Sequence, residues 1–239
     1  MYGYSRQYTY SPELMTRARF VNRILRETYG KPELKKSLPP LDELMSTILS
    51  QNTTDANRDA AYERLRSRFP TWEEMRDADE EDVIVAVRVA GLANQKGPRM
   101  QKILRGITGE RGSLDMEFLR DLPPEKVYGW LINKEGVGPK TASVVMLMSL
   151  DIPAFPVDTH VYRVCGRLRL RPSDMSAEEA HEYLAGIFRP EYYFTLHLNM
   201  IRLGREICKA RKPKCPSCSL QDICDFAVEI IIQDTDQES

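Results

Sequence analysis

The chain has 239 residues, 42% of them hydrophobic, and a formal net charge of -1. A core of ordinary size is possible, but overall charge gives no grip on nucleic acid, so any such surface has to come from local segregation of charge. Five cysteines are too few for a disulfide scaffold in a chain this long. Four of them crowd into one short segment, which points to a metal centre in a reducing compartment. No stretch approaches the ~20 apolar residues of a membrane span. The polar, aromatic start from Met1 to Tyr10 lacks a signal-peptide core, so a cytoplasmic, membrane-free protein is expected.

In chain order, residues 1–10 read as a loose head. Ser11-Pro12-Glu13 starts a helix that runs to Tyr29, before Gly30. Leu14, Ala18, Val21 and Leu25 repeat along it, with Arg17, Arg19, Arg23 and Arg26 between them. Pro39-Pro40 ends a linker. From Leu41 to about Asp151 the pattern gives short amphipathic helices and no convincing strand. Leu44, Met45, Ile48 and Leu49 form one apolar face; Asp55 to Arg68 is a helix with Ala61 and Leu65 inward. Thr71-Trp-Glu-Glu74 reads as a capping box, and Asp82 to Val89 is short and apolar. Lys96 to Gly109 turns Met100, Ile103, Leu104 and Ile107 inward and its basic residues Lys96, Arg99, Lys102 and Arg105 outward. Acidic charge gathers at residues 77–82 and from Asp225 through Glu238.

Pro123-Pro124-Glu125 opens a helix that leads through Trp130 into Gly136-Val137-Gly138-Pro139-Lys140-Thr141-Ala142. Glycines on either side of one small apolar residue allow a tight turn with uncovered N–H groups. Pro139 suits the first position of a helix reaching about Leu150, and the amides at that junction suit a phosphate. Lys140 falls in the first turn, where the helix dipole disfavours an ammonium and favours an amine nucleophile. After a proline-broken crossover, Asp158 stands as N-cap of a helix carrying Val161, Val164, Cys165 and Leu168. Ser176-Ala-Glu-Glu179 is a second capping box, and Pro190-Glu191 opens a helix running to Cys208. Cys165 reads as a buried small hydrophobe, His181 as a surface residue and His197 as structural.

Cys208, Cys215, Cys218 and Cys224 are separated by six, two and five residues. Four thiolates so close suit either one tetrahedral zinc or an iron–sulfur cubane. Between the first two lie Lys209, Arg211, Lys212 and Lys214, four basic residues in six, stiffened by Pro213. They are expected to form a phosphate-binding surface.

Gly-Val-Gly-x-Lys-Thr-Ala followed by Val-Asp-Thr-His-Val-x-Arg-Val resembles the helix-hairpin-helix DNA glycosylases, most closely the endonuclease III branch. The cysteine spacing resembles that family's cluster motif along its full length. The resemblance implies a [4Fe–4S] cluster on the four cysteines and an all-α fold of two helical lobes. One is a six-helix barrel-like domain with the helix-hairpin-helix at 33–152. The other joins the segment 1–32 to 153–239 and holds the cluster loop 208–224, with an active cleft between the lobes. It implies a monomeric bifunctional glycosylase/AP lyase of base excision repair acting on double-stranded DNA, with oxidised pyrimidines and abasic sites as targets. Lys140 is then the nucleophile and Asp158 its acid–base partner. Gly136, Val137 and Gly138 grip the backbone phosphate.

Leu92 falls on the family's wedge leucine, although the residue pattern equally allows a core leucine in a turn. His160 lines the base pocket or bonds near the helix start. Relatives usually place glutamine where Asn52 stands, whereas here glutamine comes one position earlier, as Gln51. They also commonly show Leu-Pro where this chain has Lys134-Glu135, which sets a negative charge beside the anion site. Two other readings are a mismatch or modified-base glycosylase with weak or no lyase activity and a non-catalytic lesion-binding module.

Overall fold

The computed structural model describes residues 8–33 and 37–230, and these fold into α-helices and short 3-10 turns without a strand. The first seven residues of the tyrosine-rich head and most of the acidic tail lie outside the described residues. No described helix is long and apolar enough to cross a membrane. The chain divides into two compact units, whose described residues are 37–152 and 8–33 together with 153–230.

The middle unit holds α2 (Pro40–Leu49), α3 (Asp55–Arg68), α4 (Trp72–Asp77), α5 (Glu80–Val87), α6 (Ala93–Arg111), α7 (Pro124–Ile132) and α8 (Pro139–Ser149). Each start has a local cause. Pro40, Pro124 and Pro139 take first-turn positions whose N–H would lack a helical partner. Thr54, Thr71 and Asp79 accept a first-turn amide. At Thr71 only half of the expected capping box forms: its hydroxyl accepts from the Glu74 amide at 3.1 Å, without the reciprocal carboxylate bond. Ile48, Leu49, Leu65, Met75, Val87, Met100, Leu104, Leu131 and Val145 are wholly buried, forming the core.

Helix α6 is the post of this unit. The sequence pattern places all its basic residues outward, but Lys96 is only 1% exposed. Its ammonium donates to the Leu49 and Ala90 carbonyls, each at 2.8 Å. Those carbonyls end α2 and the 3-10 turn Arg88–Ala90, where main-chain acceptors have no helical partner. A buried charge is tolerated only when it is hydrogen-bonded in this way. One turn further on, the buried Gln101 amide donates to the carbonyls of Met75 (3.0 Å) and Ala78 (2.9 Å), closing the end of α4.

The second unit is built from α1 (Pro12–Tyr29), α9 (Thr159–Arg167), α10 (Ala177–Ile187) and α11 (Tyr193–Glu206), with residues 225–230 also helical. Ser11 caps α1 and Gly30, at φ 77°, ends it. The buried Asn199 amide of α11 donates to the Leu25 and Gly30 carbonyls at 3.2 and 3.0 Å, satisfying that end of α1. Ser176 and Glu179 form a complete capping box on α10. Arg17, read from the sequence as part of a basic stripe, is turned onto the fold and donates to the Leu168 and Ile223 carbonyls.

Candidate functional site

In the middle unit, α7 runs into a short turn and then α8. Val137 is 4% exposed, so its side chain anchors the turn from inside. Its amide donates to the Lys134 carbonyl at 3.0 Å. Of the three residues expected to grip phosphate, Val137 therefore serves the turn itself, and Gly136 and Gly138 are the exposed pair. They are glycine for different reasons. Gly136 has φ 74°, and a Cβ there would collide with the Arg99 side chain. Gly138 is extended at φ -92°, ψ -179°, and a Cβ there would meet nothing within 4 Å. The second glycine leaves open space in front of the helix start.

Lys140 is half-buried in the first turn of α8, in the stretch that continues through the buried residues Thr141–Met146. Sequence reasoning missed a carboxyl in its field. Burial raises the Glu43 pKa, while the positive charges of Arg58 and Lys140 act in the opposite sense. No motif marks Glu43, because only the packing of α2 on α8 brings it near Lys140.

The other middle-unit residues singled out from the sequence lie on two turns joined by α6. Leu92 is 47% exposed, which removes the core-leucine reading, and it caps α6 in a left-handed conformation at φ 50°. Asn52 is exposed and also left-handed, at φ 52°. Asparagine is one of the few non-glycine residues that tolerate that region well, so Asn52 suits the turn it occupies. Gln51 accepts from Arg99 Nη1 at 3.2 Å, so the side chain that crosses Gly136 also holds the Gln51 turn. Glu135, which looked like a charge spoiling the anion site, is paired with Lys102 of α6. The neighbouring Lys134 points inward, donating to Glu110 at 2.6 Å with its ammonium 4.1 Å from the Trp130 ring centroid.

In the second unit, Asp158 is half-buried and caps α9: its Oδ1 accepts from the Val161 amide at 2.8 Å. The strand of chain leading to it is pinned by two buried histidines. His197 Nδ1 lies 2.9 Å from the Pro156 carbonyl, in the structural role expected. His181 is 3% exposed, not a surface residue, and its Nδ1 lies 3.3 Å from the Val157 amide nitrogen. A histidine on a helix opened by glutamates reads as solvated; its main-chain partner lies 24 residues back in the sequence. His160 Nδ1 is 3.1 Å from Arg163 Nη2, and burial is the main cause that holds its pKa below the ordinary value. Cys165 is fully buried, and burial pushes its thiol far up.

The cysteine segment follows α11 as a chain of short turns. Cys208 N–H returns to the Leu203 carbonyl, and the 3-10 turns Cys215–Ser217 and Gln221–Ile223 close onto Cys218 and Cys224. Arg167 clamps the segment: its Nη1 lies 3.2 Å from Cys208 Sγ and donates to the Lys209 carbonyl at 2.7 Å. Burial raises the Cys218 and Cys224 thiol pKa values, and the neighbouring thiol groups raise them further. Such a set resists ionising until a cation supplies the missing positive charge. Among the described residues no three Cys, His, Asp or Glu side chains close round a single ion. In a cubane each thiolate binds its own iron, so the four need not converge on one point. Lys209, Arg211, Lys212 and Lys214 are all exposed.

Residues 45–190 match the HhH-GPD superfamily of base excision DNA repair proteins. Residues 208–224 match the iron–sulfur binding domain of endonuclease III. Endonuclease III of Sulfolobus acidocaldarius is 34% identical over 190 residues, 79% of this chain and 82% of that one. A solved non-covalent endonuclease III–DNA complex matches with a TM-score of 0.79 and 28% identity, covering 91% of this chain and 98% of the other. A trapped endonuclease III–DNA covalent intermediate matches with the same TM-score of 0.79.

Proposed function

The chain belongs to the HhH-GPD superfamily, as an endonuclease III-like DNA glycosylase of base excision repair with a [4Fe–4S] cofactor, and from that premise we propose that it is bifunctional, removing oxidised pyrimidines and cleaving abasic sites as a monomer. The observation that carries this reading is a lysine, Lys140, in the first turn of α8 beside the open approach at Gly138. The relative trapped as a covalent intermediate on DNA supports a nucleophilic route.

In that route the Lys140 amine attacks C1′ of an extruded nucleotide, and Asp158 takes its proton or stabilises the positive charge growing on the sugar. The base leaves with the electron pair of the glycosidic bond. The nitrogen lone pair then opens the sugar ring: the C1′–O4′ bond breaks, O4′ takes a proton as the C4′ hydroxyl, and C1′ becomes a Schiff base to Lys140. That Schiff base makes the C2′ proton acidic, so that its loss expels the 3′ phosphate by β-elimination. Gly136 and Gly138 hold the neighbouring backbone phosphate through their main chain. Leu92, Gln51 and Asn52 fill the space left by the extruded nucleotide, and His160 borders the base. Cys208, Cys215, Cys218 and Cys224 would hold the cluster through their thiolates, and with the loop so held Lys209, Arg211, Lys212 and Lys214 would meet phosphates as a rigid set.

Borohydride trapping on thymine-glycol or abasic duplexes tests the reading. The protein should form a covalent complex, and Lys140→Gln should abolish it. Base release without a trapped complex would select the glycosylase-only alternative, and lesion binding without turnover would select the non-catalytic one.

A further inference from the structure

Lys96 is the largest fully buried charged side chain of the middle unit, and the chemistry proposed above does not use it. Its two acceptors, the Leu49 and Ala90 carbonyls at 2.8 Å, lie 47 and 6 residues away in the chain. Leu49 comes three residues before Asn52, held left-handed at φ 52°, and Ala90 two residues before Leu92, held left-handed at φ 50°. Backbone of that kind persists in non-glycine residues only where the surroundings over-determine it. Lys96 supplies that constraint on both turns with one ammonium. Arg99, one turn along the same helix, reinforces it by holding Gln51. Burial lowers the lysine's pKa, so a charge kept here at a cost in desolvation has a positional use.

We propose that Lys96 is a positioning residue for nucleotide extrusion: by joining the ends of α2 and of the 3-10 turn Arg88–Ala90, it locks the Gln51–Asn52 turn and the Leu92 turn into one rigid wedge. This rests on the reading of those turns as duplex-facing. The wedge matters when a base stack must be opened and is idle on a single strand, whereas the Lys140 chemistry is needed on both.

The test measures trapping rates on the same abasic site in duplex and in single-stranded DNA. Lys96→Met should lower the duplex-to-single-strand ratio by roughly tenfold to a hundredfold, the range for a misplaced positioning element. Leu92→Ala should lower it too. The double variant should fall no further than the worse single one, because Lys96 acts through Leu92 and its partner turn. Lys96→Gln retains a donor and should keep more of the ratio than Lys96→Met; it serves as the measurement if the methionine variant does not fold. Equal losses on both substrates, or losses that multiply in full in the double variant, would overturn the inference. Absence of trapping by the unaltered protein on either substrate would instead overturn the lyase reading on which it rests.

Discussion

The two units hold their candidate site residues by opposite means. In the middle unit, side chains from one helix do the holding: Lys96, Arg99 and Lys102 of α6 reach the Leu49 and Ala90 carbonyls, Gln51 and Glu135. In the second unit the segment 208–224 has little of its own to fold with beyond short turns, two arginines of α9 and four cysteines. A post of ordinary hydrogen bonds suffices where helices surround the site. A loop carrying four exposed cations gains little from burying its own side chains, and on the proposed reading the iron–sulfur cluster orders it.

The broadest effect should come from breaking the inorganic side, because it reaches colour, loop order and DNA affinity together. Cys218→Ala should give a colourless protein whose affinity for duplex DNA falls by about tenfold or more at physiological salt, as the basic loop loses its fixed geometry. Circular dichroism should still report the α-helices of the middle unit. A colourless variant with full affinity would mean that the cluster does not organise the loop.

Narrower in reach is Asp158, whose observed cap on α9 and proposed acid–base role substitution separates. Asp158→Ala removes the cap of α9, costing about 1 kcal/mol, and should also slow base release by roughly a hundredfold. Asparagine caps helices as well as aspartate does, so Asp158→Asn should keep the melting temperature and lose the rate alone. Equal melting points for all three proteins would remove the capping role, and equal rates the chemical one.

The hairpin glycines give a smaller contrast. Gly136→Ala should destabilise by about 1–2 kcal/mol, because φ is positive and Arg99 lies in the way. Gly138→Ala should leave stability nearly unchanged and weaken DNA binding, since its Cβ would stand in the open approach. Denaturant unfolding and binding isotherms on the two variants check this, and reversed effects would contradict it.

Smallest is a pH effect. With its pKa held below the ordinary 6.5, His160 is neutral in the native state to lower pH than in the unfolded chain. The unfolded chain then binds the extra proton as pH drops below that value, so native stability falls as acid is added. His160→Gln should flatten the stability–pH curve between the lowered pKa and 6.5; an unchanged slope there would assign the dependence to other groups.

Much of this was legible in the residues. Ser11, Asp158 and Ser176 are caps whose amide partners lie three positions on, so those helix starts could be read locally. The cysteine spacing and the Gly-x-Gly turn carry their chemistry on their face. What could not be read depends on distant partners. Lys96 and His181 look like surface residues in their own helices, yet Lys96 donates to a main-chain carbonyl 47 residues off and His181 accepts from a main-chain amide 24 residues off. The left-handed turn at Asn52, φ 52°, has no mark in the neighbouring residues either. Glu43 has no local mark at all.

The central claim is that one amine forms the covalent bond to DNA. Borohydride reduction of the complex on an abasic duplex, followed by digestion and mass spectrometry of the cross-linked peptide, locates that amine. The sugar remnant should be found on the Lys140 side chain; an adduct on any other residue, the N-terminal amine included, would show that Lys140 is not the nucleophile.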